Sequence, residues 1–493
     1  IALEVQELLK LYAAHPQVTA LDTLLKNDTS RNIFLKGLNG SGPAMTIASL
    51  FTKGRGSYVC VLNDQEEAGY FYHDLMQLTA SNEVYFFPSA YRRAIKYGHV
   101  DPANEILRTE VLSRLQDPDA SFVIVTYPDA LAERVVAREV LKENTLKISV
   151  GEKLDNMFVS DVLDEYGFEQ VDYVYEPGQY ALRGSILDVF SFSNEFPYRI
   201  DFFGDEVETI RTFDVETQLS KEKLDSIYIV PEMSKNAKDS TSLLGSLPRN
   251  TFIAARDLAW CKERIGSVWN DDPVVADEES FADIDQMRKK LVRGEDFLRE
   301  VLDFRRIHFG VRPMGTADAT IHFSTQTQPI YHKNFDRVSE SFHKYLDEGY
   351  ALYILSDQEK QANRIRMIFE DRGDNIPFTA VNRTIHEGFA DDTLRICFFT
   401  DHQLFDRFHK FNLKSDKARS GKITLSLKEL NQFSQGDYIV HIDHGVGQFG
   451  GLVRTEVNGK MQEAIKLIYQ NNDIIFVSIH SLSLIHISEP TRR

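Results

Sequence analysis

The sequence predicts a multidomain α/β protein: a parallel α/β domain with an inserted β-rich module, a second small α/β domain, and a small C-terminal β-barrel. Three observations lead there. At 493 residues the chain is too long for one ordinary core, so three to five domains are expected. The first 130 residues alternate apolar strand-like runs with helical stripes, the pattern of parallel strands joined by crossovers. Later stretches abandon that alternation for short strands cut by Gly and Pro.

The opening strands are read at Ile33 to Leu35, Tyr58 to Leu62, Val84 to Phe87 and Phe122 to Thr126. Between them Phe71, Leu75 and Leu78 keep helical spacing, with Glu67 at the solvent edge of the stripe. This domain is assigned to residues 1–145. Residues 146–231 form the β-rich module, where Tyr198-Arg199-Ile200-Asp201-Phe202 alternates with period two. Residues 232–330 return to the first domain, with a long charged helix expected near Ala282 to Phe304. The second α/β domain spans 331–410, with strands at Ala351 to Leu355 and Leu394 to Phe399. A Lys/Ser-rich linker covers 411–433. The last module, 434–481, is read as a barrel of about five strands with an Asn458-Gly459 hairpin turn.

Composition narrows the chemistry. No apolar run is long enough to span a bilayer, and the N-terminus lacks the pattern of a signal peptide. It also lacks an initiator Met, as a fragment would. Cys60, Cys261 and Cys397 lie far apart and outside any thiolate motif, which fits a reducing cytoplasm. A formal net charge of −18 makes the whole surface a poor stand-alone binder of nucleic acid, so a nucleic-acid role would run through protein partners.

Gly37-Leu38-Asn39-Gly40-Ser41-Gly42-Pro43-Ala44 has the outline of a phosphate-binding loop between a strand and a helix. A working loop of this kind ends in Lys and Ser/Thr, which reach the phosphates and Mg²⁺. Here those positions are Pro43 and Ala44. The acidic pairs Asp164-Glu165, Asp277-Glu278 and Asp347-Glu348 all follow helical or loop-like sequence rather than ending an apolar strand. The loop therefore reads as a degenerate P-loop, Gly37 and Gly42 keeping the shape of a nucleotide site without its chemistry. His441, Asp443 and His444 lack a visible further ligand, and no metal site is assigned.

Two long stretches resemble the bacterial transcription-repair coupling factors. Glu176 to Ser220, "EPGQYALRGSILDVFSFSNEFPYRIDFFGDEVETIRTFDVETQLS", is similar to the module these factors share with the excision-repair protein UvrB and use to bind UvrA. "GDYIVHIDHGVGQFGGL", continuing to Phe476-Val477, resembles the CarD-type module that grips the RNA polymerase β subunit. The resemblance implies that Arg183, Arg199 and Phe203 contact UvrA. On the residues alone, Phe203 is equally readable as core, with the arginines paired to Asp188, Asp201 or Asp205. It also implies a polymerase-binding edge around Phe449 to Glu456, with Phe449, Leu452 and Thr455 as contacts made by β-augmentation.

The departures count too. Pro88 to Leu112 is too short for the DNA-clamping aromatic hairpin of UvrB. The family's ATPase motor, which would bind DNA, ATP and Mg²⁺, follows the polymerase module and has no counterpart in these residues, so no cofactor and no catalytic residue are assigned. Residues 482–493, containing "LSLIHISEPTR", read as an adapter-derived, non-native tail. The expected role is the recruitment half of transcription-coupled repair, with a CarD-type transcription regulator acting on polymerase alone as the alternative.

Overall fold

A computed structural model describes residues 3–90, 101–233, 239–270, 288–411, 413, 433–441, 444–457, 460–470, 472–478 and 485–487. The chain divides into two units, one built from residues 1–100, 110–140 and 236–413, the other from 101–109, 141–235 and 414–493.

The first unit is organised around a seven-stranded parallel sheet. Its order is Ala319–His322, Asn32–Lys36, Arg305–His308, Phe252–Ala255, Tyr58–Val61, Val123–Thr126, Val84–Phe86. The four strands read from the first 130 residues are all present, within a residue or two at their ends. Residues 232–330 supply the other three, which the sequence left as mixed structure.

The helix Gly42–Thr52 is buried along nearly its whole length, so it carries no amphipathic stripe. The helix Gln65–Thr79 starts at Asp64, whose carboxylate accepts from the Glu67 amide, while Glu67 reaches back to the Asn63 amide. The long helix expected near Ala282 to Phe304 is corrected: the described part is the short helix Gly294–Val301, and residues 282–287 lie outside the described residues.

The same unit holds a five-stranded mixed sheet, ordered Thr325–Thr327, Phe389–Asp391, Ile396–Thr400, Ala351–Leu355, Thr379–Val381. Phe342, Ile354, Ile365, Phe369 and Phe399 form its core. It is tied to the chain's start by a buried pair, His15 Nε2 to Asp391 Oδ2 at 3.0 Å, beside Tyr12 packed edge-on against Phe389 and Phe398.

In the second unit the β-rich module is a six-stranded sheet ordered Ser220–Leu224, Glu206–Phe213, Tyr198–Phe203, Ile186–Val189, Gln179–Arg183, Glu169–Gln170. All pairings are antiparallel except the last. One face packs Tyr180, Leu187, Ile200, Phe202 and Val207 against Val159 and Leu163 of the helix Asn156–Glu165.

The terminal module is a five-stranded antiparallel sheet ordered Ile474–Ser478, Lys460–Ile468, Gly445–Val457, Tyr438–His441, Ile485–Ile487. The expected barrel is corrected to an open sheet: among the described residues its two outer strands do not pair with each other. Asn458 and Gly459 lie outside the described residues, but the flanking strands pair antiparallel up to Val457 opposite Lys460, leaving a two-residue connection. Ile485–Ile487, within the segment set aside as a tail, pairs with Tyr438–His441.

Candidate functional site

Period-two alternation sends Tyr198, Ile200 and Phe202 into the core of the β-rich module and Arg199, Asp201 and Phe203 to the other face. Asp188 lies directly across from Arg199 on the neighbouring strand. Its carboxylate, 1% exposed, is gripped by both predicted arginines. Arg199 forks onto it with Nε to Oδ1 at 2.7 Å and Nη2 to Oδ2 at 2.8 Å, and Arg183 Nη2 reaches Oδ2 at 2.5 Å. The hydrogen bonds that Arg199 donates to Asp188 raise its pKa above its ordinary value against the opposing effect of burial.

Each guanidinium also lies over a ring, Arg199 4.2 Å from the Phe213 centroid and Arg183 4.8 Å from that of Tyr173. Two cations on one anion leave a net positive charge, and Arg183, whose side chain is 36% exposed, carries it to the surface.

Phe203 stands at the end of the same face, 77% exposed, just after a bulge at Asp201/Phe202 and before the Gly204 turn. Of the structural reading one half holds: the arginines do pair with Asp188, while Phe203 is not core. An exposed aromatic beside a held guanidinium pair is the composition of an interface anchor. Tyr173, which supports Arg183, was not anticipated. Its position relative to Arg183 depends on the fold rather than on any local pattern.

In the terminal module, Tyr438–His441 pairs only with residues 445–448 of the long strand Gly445–Val457. Beyond Gly450 and Gly451 that strand has Lys460–Ile468 on one side and, among the described residues, no strand on the other. Leu452 and Thr455 lie on this open edge, Leu452 38% exposed. Phe449 does not reach the surface. It is 4% exposed in the core with Ile439, Ile465, Leu467 and Phe433, so as a direct contact it is replaced by an internal support for the edge. His441 and His444 are adjacent, and Asp443 lies outside the described residues.

At the glycine loop, Gly37 and Gly40 take positive φ values of 90° and 53°. Three of its amides are already occupied. Asn39 donates to Thr325 Oγ1 at 2.9 Å, Ser41 to the Glu387 carbonyl at 2.9 Å and Gly42 to the Asn39 carbonyl at 3.0 Å. Pro43 has no N–H to give. The Ser41 hydroxyl donates to Asp74 Oδ2 at 2.6 Å and accepts from the Glu387 amide, and the His386 amide donates to Asp74 Oδ1 at 2.7 Å.

A cavity of about 280 Å³ adjoins the loop, but Asp64, Glu66, Glu67 and Glu387 line it against a single cation, Arg256. Such a field repels a polyphosphate. Burial pushes the Asp74 carboxyl up to about 7, partly offset by the hydrogen bonds from Ser41 and His386.

Residues 146–234 match the model of the UvrB interaction domain, and residues 433–489 match the CarD-like/TRCF RID domain. The chain is therefore of the class that joins a UvrB-type interaction module to a CarD-type module in one polypeptide. Over 94% of its length it is a homologue of transcription-repair-coupling factors. It is 23% identical over 552 aligned positions to those of Staphylococcus aureus strains bovine RF122 / ET3-1 and Mu50, covering 47% of each. To that of Escherichia coli strain K12 it is 22% identical over 513 positions, 91% of this chain and 44% of the relative. The chain thus spans about half the length of the curated relatives it matches.

Two predictions follow from the loop. A Cβ at Gly37 would lie 2.2 Å from the Phe323 carbonyl oxygen at a φ unfavourable to other residues, so Gly37→Ala should cost about 2–4 kcal/mol in denaturant unfolding. Asp74 binds its proton more tightly folded, about 7 against an ordinary 3.8. Its contribution to stability is therefore present at low pH, declines as pH rises between those values, and is flat above them. The unfolding free energy of wild type minus that of Asp74→Asn should fall by on the order of 2–4 kcal/mol across that window; a difference independent of pH refutes the assignment.

Proposed function

We propose that this chain is the recruitment half of a transcription-repair coupling factor. The terminal sheet holds stalled RNA polymerase by its β subunit, and the β-rich module recruits UvrA to the lesion for nucleotide excision repair. DNA translocation driven by ATP and Mg²⁺ would belong to the RecA-like motor domains that family members carry after the polymerase module. The observation that carries the reading is the order of the two matched domains on one chain. The glycine loop is then the vestige of a P-loop, kept for packing. An assembly working on polymerase and UvrA operates in the bacterial cytoplasm.

The UvrA contact centres on Phe203, with Arg183 as the charged neighbour and Arg199 as the residue that fixes Asp188. The test is a pull-down of UvrA from the same bacterium. Phe203→Ala should weaken binding at least tenfold with an unchanged melting temperature, since so exposed a ring contributes little to folding. Arg199→Ala should instead destabilise the module by about 3–5 kcal/mol, because it deprives the buried Asp188 carboxylate of its fork. Full UvrA binding by a folded Phe203→Ala protein refutes this surface. Polymerase binding with no UvrA binding by wild type would favour the transcription-regulator reading.

The polymerase contact is read as addition of the strand around Leu452 and Thr455 to a sheet of the β subunit. Leu452→Glu should reduce polymerase binding at least tenfold while the module stays folded. Phe449→Ala should lower stability by about 3–5 kcal/mol through the cavity it leaves. Undiminished polymerase binding by Leu452→Glu overturns the edge assignment.

A further inference from the structure

Four of the chain's 14 histidines, at positions 73, 386, 402 and 409, converge on one place in the first unit. His386 follows the strand Thr379–Val381, His402 lies in the helix Asp401–Leu404, His409 is in the extended run after it, and His73 belongs to the helix Gln65–Thr79. One ring nitrogen from each of His386, His402 and His409 lies within 4.8 Å of the other two. We propose that His386, His402 and His409 bind a divalent zinc ion, with His73 as the fourth imidazole, and that the ion pins residues 402–411 to the helix Gln65–Thr79.

The chemistry of the donors fits. Nδ1 of His386 and Nδ1 of His409 share a hydrogen bond at 3.0 Å, whose proton zinc would displace, and that separation is close to the ~3.4 Å that two nitrogens keep on a tetrahedral zinc with bonds of about 2.0–2.1 Å. Nε2 of His402 is 2.7 Å from the His386 carbonyl oxygen, which can only accept. That bond places the proton on Nε2 and leaves Nδ1 its lone pair, the way a backbone carbonyl orients a metal-binding histidine. Nδ1 of His73 is buried with no hydrogen-bond partner among the described residues, and its ring meets that of His409 edge-on at 5.1 Å.

Burial lowers the pKa of His386 to about 4 and of His409 to about 3, so both offer neutral imidazole at neutral pH. Burial lowers those of His402 and His73 as well. An Asp401 carboxylate oxygen lies 3.9 Å from the His402 Nδ1.

The His402 and His409 rings stack at 4.1 Å and 9°, and His386 stacks on Tyr70 at 3.6 Å. No point lies in the planes of both stacked rings, so zinc entry requires His402 or His409 to turn about its side-chain torsions. The backbone is already in place for that. The Tyr70 hydroxyl donates to the His409 carbonyl at 2.6 Å, and the Phe411 ring covers Gly69, where a Cβ would lie 2.3 Å from it. Metal binding would add to this docking, since a ligand of the folded form stabilises it.

The test uses the whole chain, stripped of metal and titrated with zinc. One zinc per chain is expected, with a rise in melting temperature, and cobalt(II) in its place should give the intense visible bands of a tetrahedral site. His402→Ala and His409→Gln should each weaken zinc at least tenfold and abolish the thermal shift, while His322→Ala, on an exposed position of the strand Ala319–His322, should change neither. Two variants guard against one failing to fold, and circular dichroism checks each. Substoichiometric binding by wild type, or equal affinity in folded His402→Ala or His409→Gln, overturns the proposal.

Discussion

The first unit depends on how it satisfies one buried carboxylate. Asp74 sits on the inward face of the helix Gln65–Thr79, receives the Ser41 hydroxyl on one oxygen and the His386 amide on the other. Those two donors come from the glycine loop of the parallel sheet and from the segment leading into the second sheet. A buried acid without such donors would cost several kcal/mol, so each donor constrains where the others stand. Ser41 in turn accepts from the Glu387 amide, and its own amide donates to the Glu387 carbonyl. Ser41 is thus held through both its amide and its hydroxyl by Glu387 and Asp74.

The β-rich module meets the same constraint with the opposite outcome at its surface. Asp188 is neutralised by a forked Arg199 and a second guanidinium from Arg183, so its cost is met by charge rather than by neutral donors. The surplus positive charge, together with Phe203, faces outward. One buried acid therefore sets the position of both arginines, and a contact on this face would read Arg183 and Phe203 while depending on Arg199 from beneath.

How much of this was legible in the sequence follows from the range of the interactions. Strands such as Tyr58–Val61 are local apolar runs and were readable. The strands Phe252–Ala255, Arg305–His308 and Ala319–His322 join the same sheet through long-range pairings such as Tyr58 with Phe252, Asn32 with Arg306 and Ile33 with Ala319, which no local pattern encodes. Phe203 was placeable by extending the alternation of Tyr198 to Phe202. Phe449 was misplaced because the irregularity between Phe449 and Leu452 shifts the parity that decides which face a side chain takes. The histidine cluster is assembled from positions 73, 386, 402 and 409, and only the fold brings them together.

Why a loop with no phosphate chemistry should keep its glycines is answered by its neighbours. Gly37 lies against the Phe323 carbonyl, and Gly40 lies against the carbonyls of Gly388 and Glu387, where a Cβ would stand 2.8 and 2.9 Å from oxygen. Both take positive φ. A turn without side chains lets peptide carbonyls approach closely, and the Ser41 amide donates to one of them, that of Glu387. Lys and Ser/Thr have no part in holding a carbonyl, so Pro43 and Ala44 are tolerated at the start of a helix that is buried on every side. The glycines are required because backbone carbonyls pass where a side chain would stand.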